Sequence, residues 1–60
     1  MDKNKVLLPN EIFDLAVKNH QKNNLNEAKN FYNKVLEIKN NHENAINNLG
    51  VIYLALKDYP

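Results

Sequence analysis

His42-Glu43 opens like the His-Glu-x-x-His arrangement that holds zinc on one face of a helix. The position that would have to supply the second imidazole is Ile46, so a ligand is lacking. His20 has asparagines at i+3 and i+4 where a partner carboxylate would stand, and it reads as a surface residue. The chain has no Cys, Ser or Thr, which removes the thiol and hydroxyl nucleophiles. Gly50 is the only glycine, so no glycine-rich loop can cradle a phosphate. The chain therefore reads as non-enzymatic, with no metal and no cofactor. Lys18 and Lys22 share a helix face and suggest a small three-helix nucleic-acid-binding protein as one alternative. Against it, arginine is absent and eight lysines face seven acids, for a net charge of +1. That balance gives neither bidentate guanine contacts nor a steering field, and those lysines read as a solvated helix face.

The elements that position these residues must come from a short chain. Sixty residues make one small domain, and a fold of this size hides only about 60% of the surface that its unfolded chain exposes. Without cysteine there is no disulfide framework, so stability has to come from packing, from a partner or from self-association. The N-terminus offers only Val6-Leu7-Leu8 before Pro9, too little for a signal peptide, and Val51 to Leu56 is too short to span a bilayer. The expectation is a cytoplasmic protein that binds neither membrane nor nucleic acid. Asparagine occurs thirteen times, which reads mainly as a coding bias toward Asn and Lys rather than as a peptide-gripping surface.

Three amphipathic segments follow a tail of residues 1–8. In the first, Ile12, Leu15, Ala16 and Asn19 fall on one helical face, opened by Pro9. The turn Lys22-Asn23-Asn24-Leu25 follows, in which Asn suits the left-handed conformation that ends helices and Asn24-x-x-Glu27 forms an Asn-headed capping box. The second segment carries Ala28, Phe31, Tyr32, Val35 and Leu36 and ends near Lys39, where Asn40-Asn41 repeats the stop-and-cap device. The third places Ile46, Leu49, Gly50 and Tyr53 at i, i+3, i+4 and i+7. No stretch alternates with period two, so the fold class is all-α.

A shift of 34 residues superimposes Ile12 on Ile46, Leu15 on Leu49 and Val17 on Val51 as identities, with Ala16 on Gly50 and Asp14 on Asn48 as conservative pairs. The pattern Ile46-x-x-Leu49-Gly50-x-x-Tyr53, with Ala28-x-x-x-Tyr32 before it, resembles the tetratricopeptide repeat family. About one and a half repeats are covered: a hairpin over residues 9–41 and a half repeat over 42–60, whose Lys57-Asp58-Tyr59 reads as a closing turn. Ile12 and Ile46 stand where the family has a large aromatic, Asn19 where it has Tyr, and Asn40 where it has Pro. Ala16, Ala28 and Gly50 are expected to be small because helices approach closely there. Asn19 would need hydrogen-bond partners if buried.

The resemblance implies a three-helix antiparallel array that binds a peptide or protein in a concave groove. Its groove residues would be Asn10, Phe13, Asp14 and Val17 on the first helix and Asn44, Asn47, Asn48 and Val51 on the third. Asn48 matches an asparagine of the carboxylate clamp that some members use on chaperone tails. Phe13 and Val17 stand where that clamp needs lysine and asparagine, which argues against such a ligand. One and a half repeats leave the third helix with more apolar surface than the second can cover. A homodimer or higher homo-oligomer is therefore expected, self-associating through Ile46, Leu49, Ile52, Tyr53 and Leu56. The alternative is a fragment of a longer repeat scaffold with no independent function.

Overall fold

The computed structural model describes residues 7–57, and three helices account for most of them: α1 (Pro9–Gln21), α2 (Leu25–Ile38) and α3 (Glu43–Leu56). The middle helix packs against both neighbours, more extensively with α1 than with α3. The all-α, tetratricopeptide-like array expected from the periodicity is the fold found.

Each boundary has a local cause. Pro9 occupies the first helical position after Leu8, whose extended backbone (φ −76°, ψ 155°) starts the helix, and the Leu8 N–H donates to Glu11 Oε1 at 2.9 Å. Helix α1 stops at Asn23, which takes a left-handed φ of 64°. The Asn23 N–H donates to the His20 carbonyl at 3.0 Å and the Asn24 N–H to the Asn19 carbonyl at 2.8 Å, the pair of bonds that closes a Schellman turn. Lys57, with φ 53°, ends α3 in the same left-handed region. Asp58 and Tyr59 of the expected closing turn lie outside the described residues, as does most of the N-terminal tail.

Two capping expectations are corrected. Asn24 does not cap α2 with its side chain; its Nδ2 turns back to donate to Asn19 Oδ1 at 3.3 Å. Asn19 is thereby satisfied, since its own Nδ2 also donates to the Leu15 carbonyl at 2.8 Å. Asn41 does not cap α3 either, because His42 sits one residue closer to the helix and its Nδ1 accepts the Ala45 N–H at 3.1 Å. An imidazole that accepts at Nδ1 carries its proton on Nε2, so the ring discarded as a zinc ligand is a helix cap.

Ile12 and Ala16 from α1, Ala28, Tyr32 and Val35 from α2, and Ala45, Leu49 and Ile52 from α3 form the buried core. Three alanines among these eight let the backbones close in, and Tyr32 fills the space beside them. On α3 the face that meets α2 is Ala45, Leu49 and Ile52, with Leu56 half-buried behind them. It is rotated from the expected stripe, and Ile46 remains 47% exposed. Gly50 is a further correction: it is exposed, and a methyl group added there would meet nothing within 4 Å. Its small size is not required by any neighbour among the described residues.

Because Gly50 is helical and unobstructed, Gly50→Ala should stabilise the monomer by about 1 kcal/mol through helix propensity alone. Urea denaturation at low protein concentration measures this, with a rise in midpoint at constant slope as the expected result.

Candidate functional site

Helices α1 and α3 both pack against α2, and they carry the residues expected to line a groove. Phe13 is half-buried, with its ring centroid 5.7 Å from that of Tyr32 and 4.8 Å from that of His42. That second contact joins α1 to the first turn of α3. Val17 is half-buried one turn further along, while Asp14 is exposed. On α3, Asn44, Asn47 and Val51 are exposed, and Val51 keeps 54% of its surface in contact with solvent. Asn10 is exposed at the start of α1. No enclosed pocket is present among the described residues.

Asn48 differs from its neighbours. It is half-buried, and its Nδ2 donates to the Tyr32 hydroxyl at 3.2 Å. The same hydroxyl lies 3.3 Å from His20 Nδ1. Asn48 supplies a hydrogen to the phenol oxygen, so the phenol can pass its own to His20, whose proton then sits on Nε2. One buried tyrosine thus ties α1 to α3 through α2. Sequence reading placed Asn48 in the groove and His20 on the surface, and assigned neither to this network. The signal available was positional: the asparagines at 44, 47 and 48 look alike in one dimension, and only the approach of Tyr32 separates them.

The residues expected to mediate self-association divide into two sets. Leu49 and Ile52 are buried against α2 and belong to the chain's own core, because the α2-facing stripe of α3 runs through them. Tyr53 and Leu56 are half-buried, and Ile46 is exposed. Leu54, 64% exposed, adds to the apolar surface on that side.

The family's sequence model, described as a tetratricopeptide repeat, matches residues 13–42, from the middle of α1 through the cap of α3. The chain belongs to the tetratricopeptide repeat family. The match covers half of the sequence and includes the small residue at Ala28 and the aromatic at Tyr32. Comparison with curated proteins and with solved structures gave no match. Repeats of this family are generally protein-interaction modules, and no helix of the described residues is long and apolar enough to cross a membrane.

Burial raises the Tyr32 hydroxyl pKa above its ordinary value of 10.0, and the Asn48 hydrogen bond opposes that rise only in part. The neutral phenol is therefore favoured in the folded chain. Its contribution is complete below the unfolded value and is lost as pH climbs through the raised folded value. Unfolding followed between pH 8 and pH 11 should show this alkaline loss, and Tyr32→Phe should remove its share of the slope. At neutral pH the same substitution should cost about 1 kcal/mol for the lost hydrogen bonds. His42→Ala should cost a similar amount, about 1 kcal/mol, by uncapping α3, with His42→Asn recovering most of it.

Proposed function

We propose that this chain is a non-catalytic protein-interaction unit. It holds an extended peptide or a partner helix against the side shared by α1 and α3, and it self-associates through α3. The observation that carries the binding reading is the equivalence of the two helices. The 34-residue shift places Phe13 on Asn47, Asp14 on Asn48 and Val17 on Val51, and those residues lie on the two elements that flank α2. Apolar contact comes from Phe13, Val17 and Val51. The asparagine amides of Asn44 and Asn47 are exposed and can each donate to and accept from a peptide backbone, which suits a ligand read by shape and main chain more than by charge. Asp14 adds one negative charge at the edge and would favour a basic residue there.

Selection of binders from a displayed peptide library against the intact protein tests this reading. Asn47→Ala, Val51→Glu and Asp14→Lys alter exposed positions and should leave helicity intact. Peptides recovered with the wild type should lose roughly tenfold or more in affinity against Val51→Glu, which places a charge in an apolar contact. Peptides that bind all three variants as well as the wild type would place the binding face elsewhere.

A further inference from the structure

We propose that the protonation state of His20 on α1 sets, through the buried Tyr32 hydroxyl, which end of the Asn48 side-chain amide on α3 faces solvent. The three groups form a chain: Asn48 Nδ2 donates to the Tyr32 hydroxyl at 3.2 Å, and that hydroxyl stands 3.3 Å from His20 Nδ1. Tyr32 is fully buried, so its hydroxyl depends on these two partners. Both ends of the chain are open. Asn48 Oδ1 and His20 Nε2 have no hydrogen-bond partner among the described residues, and neither atom is buried, so each meets water.

A phenol has one hydrogen to give, and that single hydrogen makes the chain directional. While the His20 ring carries its proton on Nε2 alone, Nδ1 is an acceptor. The phenol gives its hydrogen to Nδ1 and receives one from Asn48, which keeps Nδ2 inward and leaves Oδ1, an acceptor, at the surface. When the imidazole takes a second proton, Nδ1 becomes a donor as well. The phenol oxygen then receives from His20, and its own hydrogen has only Asn48 to go to. That requires Oδ1 inward and leaves Nδ2, a donor, at the surface.

Reversal asks little of the packing. The terminal torsion of an asparagine is broad and roughly two-fold, and its oxygen and nitrogen are nearly alike in shape, so a half-turn exchanges them in place. Keeping the amide fixed would cost more, because the phenol hydrogen would be buried without an acceptor. Either direction satisfies all three groups, so the helices stay packed in both. From α2 the titratable group against the imidazole is Tyr32 itself, which meets it edge-on with 6.0 Å between ring centroids. Lys18 and Lys22 flank His20 on α1, Glu27 and Lys29 lie near the start of α2, and α3 carries no charge from Asn44 to Leu56. The Tyr32 hydroxyl is the one hydrogen-bond or ion-pair partner of the imidazole among the described residues.

Imidazole side chains change charge between about pH 5 and 8, a range that biological compartments span. One consequence rests on the binding face proposed above: a ligand there meets an acceptor at Asn48 when His20 is neutral and a donor when it is charged. The acceptor suits a peptide N–H, and the donor suits a carbonyl or carboxylate. The relay itself does not rest on that reading.

Nuclear magnetic resonance of the full chain labelled with nitrogen-15 tests the relay with no ligand present. At about pH 8 the His20 ring should carry its proton on Nε2, and the Asn48 Nδ2 hydrogens should show a nuclear Overhauser effect to the Tyr32 ring hydrogens beside the hydroxyl. On titration to about pH 5 that effect should be lost, and the Asn48 Nδ2 shift should move with the same midpoint as the His20 ring. In Tyr32→Phe, His20 should still titrate while the Asn48 amide no longer follows. His20→Phe leaves the phenol no acceptor but Asn48 Oδ1, so the Overhauser effect should be absent at both pH values. His42→Asn, which removes the other imidazole, should keep the coupling. An Asn48 amide that holds its Overhauser effect while His20 titrates, or that turns with pH in His20→Phe, would overturn the relay, as would a neutral His20 ring with its proton on Nδ1. Because no ligand takes part, failure of the binding face leaves these outcomes unaltered, and a failed relay leaves that face standing.

Discussion

The side chain of Tyr32 is the contact on which the three-helix arrangement depends. It is fully buried in the middle helix, its ring meets Phe13 and His20 from α1, and its hydroxyl takes a hydrogen from Asn48 on α3. A phenol can serve this role because it joins a large apolar body to a polar tip that both gives and receives a hydrogen bond. Ala16, Ala28 and Ala45 are the counterpart: full burial of so large a ring between three short helices requires that other points of contact be filled by almost nothing. Phe13 meets both Tyr32 and His42, so the same ring cluster links α1 to the cap of α3.

How much of this could be read from the sequence varied with how one-sided each helix is. On α2 the apolar residues form a single stripe among Asn, Lys and Glu, and its buried residues Ala28, Tyr32 and Val35 are those the period selects. On α3 nearly every position from Ala45 to Leu56 is apolar or small, so periodicity alone could not say which side met α2. The expected face fell one step away from the true one, and Gly50 was assigned a crowding it does not have. Turns show the same division. The left-handed residue at Asn23 was legible because asparagine has few better uses between two helices. The caps at Asn24 and Asn41 were not, because in a chain so rich in asparagine every turn offers several amides, and a histidine with suitable geometry took the cap instead.

The proposed groove positions could be named from the sequence only as positions. Family resemblance and the 34-residue shift named the residues, and Asn47 and Val51 are exposed where a ligand could reach them. What the shift could not supply is competition within the fold. Asn48 is partly claimed by Tyr32, and Phe13 is partly claimed by two other rings. Residues that also hold the helices together cannot vary freely, which leaves Asn44, Asn47 and Val51 as the positions of the proposed surface that can change without loss of the fold.

Unequal packing of the two outer helices has a consequence for how the chain moves. α1 meets α2 in a hairpin whose contacts are close in sequence, while α3 meets α2 less extensively. In such a linear stack each helix is held only by its neighbour, so local stability follows the extent of each junction. Opening the α2–α3 junction is therefore expected to cost less free energy than opening the hairpin. Swinging α3 out about the Lys39–Asn41 turn would break the Tyr32–Asn48 bond and the Phe13–His42 contact together, so one junction sets how long the third helix stays in place.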